Sequence, residues 1–145
     1  MQQCQRVVER LLLPALAIAI GALLESPLAL VPDGGCRRFE GALSGNDPDA
    51  EASLLLCRSG AQLSGRLLVD GTAGRSVAGV RGELRPGNRA LLSDLDPVYS
   101  EPRAGWEHCY DDVYDLGWEP LAQRLTGTYR SERCDDEGTL ALRMR

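Results

Sequence analysis

The residues of this chain that could do chemistry gather in one place. Between Asp94 and Trp118 stand the only His (His108), both Trp (Trp106 and Trp118) and three of the four Tyr (Tyr99, Tyr110, Tyr114). The same stretch holds Asp94, Asp96, Glu101, Glu107, Asp111, Asp112 and Asp115 against a single base, Arg103. Nucleophilic hydrolysis needs an imidazole held beside a Ser or Cys. His108 is the sole imidazole, and its neighbour Cys109 belongs to an even set of cysteines that pairing would consume. A carboxyl-based hydrolase is the other acid-rich option. It would require two of these acids to converge with His108 in one cleft, and no partner that would orient them can be named, so no catalytic residue is assigned.

Metal chemistry fares no better. Asp94-x-Asp96 and Asp111-Asp112-x-x-Asp115 offer the hard oxygens that calcium takes, but neither fits an EF-hand loop with its internal Gly and terminal Glu. No CxxC occurs, which argues against a zinc ribbon or a thioredoxin-type redox site. The residues imply neither metal nor cofactor. Binding remains. Trp and Tyr offer large contact area at low entropic cost, which makes Trp106, Tyr110, Tyr114 and Trp118 the candidate ligand-contacting residues. Tyr110, Tyr114 and Leu116 also share the period-two face of a strand, which suits interior positions. Trp106 and Trp118 lie beside Gly105 and Gly117, where an amphipathic ring can either cap a fold or meet a ligand.

Something must hold that segment in place, and the cysteines point to it. Cys4 precedes a leader-like run, leaving Cys36, Cys57, Cys109 and Cys134. An even set in about 110 residues reads as two disulfides formed in an oxidising compartment. In an antiparallel hairpin, paired positions share one index sum. Cys36 and Cys57 would centre a hairpin between residues 46 and 47; Cys109 and Cys134 would centre one between 121 and 122. Both centres fall in or beside turn-like sequence, so 36–57 with 109–134 is the preferred pairing among the three possible. Each bridge would close a loop of about 20–25 residues and contribute roughly 3 kcal/mol on a chain-entropy view.

Arg6 and Arg10 precede an apolar run, Leu11 to Leu24, that ends at Glu25-Ser26-Pro27. At helical rise the run covers about 21 Å, short of the roughly 30 Å hydrocarbon core. Basic residues followed by a short apolar stretch are the pattern of a secretory signal. The division is therefore 1–29 as signal peptide or uncleaved N-terminal anchor, 30–35 as linker, and 36–145 as the folded domain. Localisation is periplasmic or extracellular, with membrane contact only through residues 7–24 if the leader is retained. All sixteen basic residues are Arg and the net charge is −5. The Arg are scattered, with no basic stripe, and this argues against nucleic-acid binding.

Past residue 36, short apolar runs alternate with Gly, Pro, Asn and Asp. The alternation predicts strands near 37–45, 52–58, 61–69, 75–84, 89–93, 109–116, 121–131 and 138–144. Turns are expected at Gly45-Asn46-Asp47-Pro48, Asp70-Gly71, Arg85-Pro86-Gly87-Asn88, Gly117-Trp118-Glu119-Pro120 and from Asp135 to Gly138. The longest connection would be 94–108. Trp106, Tyr110, Val113 and Leu116 also fit a helical spacing, but Asp and β-branched residues favour the strand. A recurrent apolar–small–Gly pattern (Leu43-Ser44-Gly45, Leu63-Ser64-Gly65, Val77-Ala78-Gly79, Leu125-Thr126-Gly127) places Gly where a sheet must coil or a cavity must open.

The expected fold class is all-β. An antiparallel meander of about eight short strands would form a small up-and-down barrel, preceded by an N-terminal hydrophobic helix. In layout this resembles calycin-type barrels, lipocalin-like or avidin-like. Their Gly-x-Trp opening is absent, with Phe39-Glu40-Gly41-Ala42 in its place, so the resemblance is one of architecture and carries no function. The functional expectation is a non-enzymatic exported barrel binding a small ligand or a protein partner at its mouth, near Trp106 and Trp118. A structural, membrane-anchored envelope protein with a filled core is the alternative, and a hydrolase using the acidic 94–119 segment the third.

Overall fold

The structure, a computed structural model, describes residues 29–45 and 49–145. The expected leader with its helix, and residues 46–48 of the first turn, lie outside the described residues. Eight strands follow in order: β1 (Cys36–Ser44), β2 (Ala50–Ser59), β3 (Gln62–Gly71), β4 (Gly74–Arg85), β5 (Arg89–Pro102), β6 (Val113–Glu119), β7 (Arg124–Ser131) and β8 (Asp136–Met144). Each pairs antiparallel with its neighbour, and β8 returns to β1 to close the barrel. Closure leaves no open edge where the ladders are complete. No described residue is helical.

Period two explains why these segments are strands. Leu63 and Leu67 on β3 are buried while Ser64 and Arg66 between them are exposed. On β8, Leu140 and Leu142 are buried and Ala141 and Arg143 exposed. The inward residues of all eight strands meet in one core. Gly65 and Gly127 mark where neighbouring strands of the sheet come closest. A Cβ on either would run into a backbone carbonyl of the next strand, that of Leu55 or Asp115. At these two positions the glycine serves coiling of the sheet.

The cysteine register holds. Cys36 faces Cys57 directly across β1–β2 and is bonded to it, with Cα atoms 3.9 Å apart. Cys109 is bonded to Cys134, with Cα atoms 6.2 Å apart. Their hairpin has the expected register, Tyr114 facing Tyr129. Cys109 itself lies beyond the ladder, because β6 begins only at Val113. The expected strand over 109–116 is thus corrected: 103–112 is an irregular strap and the strand runs later, through Glu119. The expected loop 94–108 is corrected too, since β5 continues to Pro102 along β4, past two register shifts. That half of β5 is exposed on both faces beyond Asp94, so no burial imposes an alternation on its sequence.

Three turns also move. The one placed at Asp70-Gly71 lies at Thr72 and Ala73, the one at 117–120 lies at 120–123, and the one at 135–138 lies at 132–135. In the last two, the left-handed residue each turn uses is not Gly but Gln123 (φ 52°) or Asp135 (φ 48°), so glycine misled the placement. The turn at 86–88 stands as read, with Gly87 and Asn88 both left-handed.

The two barrel ends differ. Around the 36–57 bridge, Leu30 and Val31 enter ahead of β1 and are buried in the core with Phe39, Leu63, Leu125 and Trp118. Residues 30–35 therefore contribute a stopper at this end. The other end, around the 109–134 bridge, opens into a cavity.

Candidate functional site

The cavity at the open end has a volume of about 370 Å³. This is at the small end of the range for ligand pockets, roughly 300–1,000 Å³. Its apolar floor comes from Leu43, Leu67, Val69 and Ala78. The strap 103–112 brings Trp106, Glu107, His108, Tyr110 and Asp112 to its wall. Among the described residues no arginine lines it, whereas Asp94, Glu107, Asp112, Asp135 and Asp136 do.

Two of these acids are continuations of the strands' inward phase. Ala90 and Leu92 point inward on β5, and Asp94 is the next residue in that phase. Leu116 and Tyr114 point inward on β6, and Asp112 precedes them in phase. The β5–β6 register, Leu92 facing Tyr114, sets Asp94 opposite Asp112. The Asp94 N–H donates to the Asp112 carbonyl at 2.9 Å, and the Asp112 N–H donates to Asp94 Oδ2 at 3.1 Å. Tyr114 Oη lies 3.0 Å from Asp94 Oδ1 and 3.3 Å from Asp112 Oδ2. A phenol has one proton to give. If Asp94 receives it, the contact with Asp112 is a hydrogen bond only when Asp112 is itself protonated and donates to Oη.

The electrostatics agree with that proton count. Burial pushes Asp94 up to about 6, against the pull of its bonds from Tyr114 and the Asp112 backbone. Burial, then the charge of Asp94, pushes Asp112 up to about 7. Tyr114, buried between two acids, is held well above the ordinary phenol value. Between about pH 6 and 7 the pair therefore keeps about one proton.

The rest of the strap is held by other polar groups. His108 Nε2–H donates to the Ala73 carbonyl at 3.0 Å, and Nδ1 is hydrogen-bonded to Ser100 Oγ at 3.0 Å. Since a carbonyl only accepts, the ring must carry a proton on Nε2. Arg103 N–H donates to the same Ala73 carbonyl at 3.0 Å. His108 thus clasps the strap to the β3–β4 turn and to β5. At its far end Asp111 accepts from Ser131 Oγ at 2.6 Å and from the Arg133 N–H at 2.9 Å. These bonds hold its carboxyl below the usual range. The Cys134 N–H donates to Ser131 Oγ at 3.1 Å, which joins this network to the bridge.

Of the four aromatic candidates, the structure brings Trp106, Tyr110 and Tyr114 together on the cavity wall. Trp106 is the most open of them, 38% exposed. The buried hydroxyl of Tyr110 meets no hydrogen-bond partner among the described residues. Trp118 stands elsewhere: it is buried near the stoppered end, edge-on to Phe39 with ring centroids 5.8 Å apart. It follows Tyr114 and Leu116 in the inward phase, and Gly117 beside it is a strand residue facing Thr126 rather than part of a turn. Asp94 and Asp112 were not singled out as a pair by the sequence reading. The signal existed, because each extends an apolar alternation by one step.

Among the described residues no group of three His, Cys, Asp or Glu side chains is placed to hold a metal ion. No protein-family model matches the chain, and no curated protein matches it significantly.

Proposed function

We propose that this protein is an exported, disulfide-stapled barrel that binds a small ligand in the cavity at its open end. The observation that carries the reading is the contrast within one interior. Apolar side chains fill the stoppered half, while the other half keeps a mouth where half-buried carboxyls meet aromatic rings. Ionisable groups turned into an interior are costly, and they concentrate where a protein binds or reacts. Export is supported by the two disulfides and by the leader-like composition of residues 1–29.

The test is a fragment screen by backbone amide chemical shifts on the oxidised protein, with cationic, neutral and anionic fragments of similar size. Shifts clustered at residues 71–78 and 106–112 are the expected result. A screen that moves no amide around the mouth overturns the reading. Export has its own measurement. Protein recovered from the periplasm of an expression host should show no free thiol among the four bridge cysteines on titration in denaturant.

A second reading takes Asp94 and Asp112 as an acid–base pair in a hydrolase. It is favoured by one observation: two carboxyls whose proton affinities are both raised line the same cleft as His108. His108, however, spends both ring nitrogens on Ser100 and Ala73. Turnover of chromogenic glycosides or esters that disappears in both Asp94→Asn and Asp112→Asn would establish this second reading in place of the first.

A further inference from the structure

We propose that the ligand is a small organic monocation, an amine or quaternary ammonium on an apolar or aromatic body. Its charged nitrogen would sit at Asp94 and Asp112, and its body against Trp106 and Tyr110. This rests on the reading of the barrel as a ligand-binding domain and names the class of ligand.

Charge placement is the first argument. Arginines are spread over the described chain, yet none reaches the cavity, and five acids do. Neither Asp94 nor Asp112 has a cationic partner among the described residues. What they have instead is each other, across the β5–β6 ladder, where like charges directly opposed are unfavourable. Their other neighbours are the Tyr114 hydroxyl and, on Asp94, one backbone N–H. A cation at this position supplies the missing charge.

The surroundings select the kind of cation. A calcium ion takes six to eight oxygens, and no cluster of three ligating side chains exists among the described residues. An organic cation needs fewer polar contacts and more ring surface. Trp106 and Tyr110 on the wall provide that surface, and aromatic faces attract ammonium groups. Behind that wall the buried Tyr110 hydroxyl meets no hydrogen-bond partner among the described residues, a polar group the described chain leaves unsatisfied.

Proton balance follows directly. Between about pH 6 and 7 the free pair holds about one proton, and a monocation takes its place, so binding releases up to one proton. The charged groups facing the pair are Asp111 on the strap and Asp136 at the start of β8, and the protonated Tyr114 phenol lies between Asp94 and Asp112. Glu107, Asp135 and His108 lie further along the wall. All the acids act in one direction, raising the affinity for either a proton or a cation.

Calorimetry on the full oxidised chain tests this with probes sharing one body: phenethylammonium, its trimethylammonium form, 2-phenylethanol and 3-phenylpropanoate, with calcium chloride as a fifth. At least one of the two cations should bind, with the alcohol about tenfold weaker or worse and the carboxylate silent. Affinity for the cation should fall about tenfold from pH 8 to pH 6 as protons compete, and the apparent enthalpy should vary with the buffer's ionisation heat. Asp94→Asn and Asp112→Asn, near-isosteric changes whose folding is checked by melting, should each weaken the cation about tenfold or more. Binding of the alcohol or the carboxylate as tightly as the cations overturns the monocation while leaving the ligand-binding barrel intact. Calcium displacing the amine overturns it in favour of a metal site. Silence from every probe at millimolar concentration overturns both.

Discussion

At the end where the chain enters the barrel, the inward phase of β1 and β2 runs out in Arg37 and Arg58. At the other end, that of β5 and β6 runs out in Asp94 and Asp112. The arginines are met by the chain itself. Arg37 donates to the carbonyls of Ala29 and Leu30 at 2.6 and 3.4 Å, and Arg58 donates to those of Val31 and Gly60 at 3.2 and 2.6 Å. Residues 29–31 thereby serve both as apolar filler and as acceptors. The acids have no such segment. Their strap brings rings and further acids, and the proton they share stands in for a countercharge. A barrel end can thus be completed from within or left to be completed from outside, and the sign and partners of its last inward residues show which was done.

Stability should separate the ends most sharply. Phe39→Ala removes a fully buried ring from the stoppered half and should cost about 3–5 kcal/mol. Trp106→Ala at the mouth should stay within about 1 kcal/mol; urea unfolding midpoints compare the two. Equal losses would mean that the mouth is as much a part of the core as the stopper.

The bridges come next. Replacing either cysteine pair by alanine should cost roughly 3 kcal/mol, but the consequences should differ in place. Cys36 and Cys57 already face each other in a continuous ladder, so pairing survives there. Cys109 lies in the irregular strap. Opening the bridge to Cys134 should raise amide exchange over residues 103–112 and weaken ligand binding, as hydrogen exchange by mass spectrometry would show.

Acidity gives a smaller effect. Asp94 and Asp112 hold protons in the folded state at pH values where the unfolded chain has lost them. Stability from this pair is therefore greatest near pH 4 and declines as pH rises through about 7. The change should be on the order of 2 kcal/mol, after discounting for the partial exposure of both groups. Asp112→Asn should flatten the profile between pH 5 and 8. Asp111, held low, acts in the opposite sense and only on acidification below the ordinary carboxyl range. His108→Ala, which releases the strap from Ala73 and Ser100, should cost about 1 kcal/mol and show first as exchange in the strap. Leu121→Ser, at a site 95% exposed, should change the midpoint by less than about 0.5 kcal/mol.

How much of this the sequence discloses depends on burial. Where a strand has one wet and one dry face, as at Leu63-Ser64-Gly65-Arg66-Leu67, alternation reveals both strand and phase. The cysteine sums disclose two hairpin registers, because a disulfide between neighbouring strands obeys the same arithmetic as the ladder. The far half of β5 is hidden for the converse reason: residues 95–102 are exposed on both sides, so no pattern is imposed on them. Trp118 shows a different failure. Its flanking Gly117 has the composition of a turn, but the phase set by Tyr114 and Leu116 decides its environment. The acid pair was legible in principle, as polar residues standing where an apolar alternation predicts another Leu. Its depth and shared phenol belong to tertiary packing and have no local signature.

The chain has no lysine, and its N-terminal side passes through the stopper at the end away from the cavity. Residues 29–145 therefore offer amine-directed coupling no side chain to take hold of. Leu121→Lys, in the exposed 120–123 turn at the stoppered end, would supply one and leave the mouth facing the bulk solution.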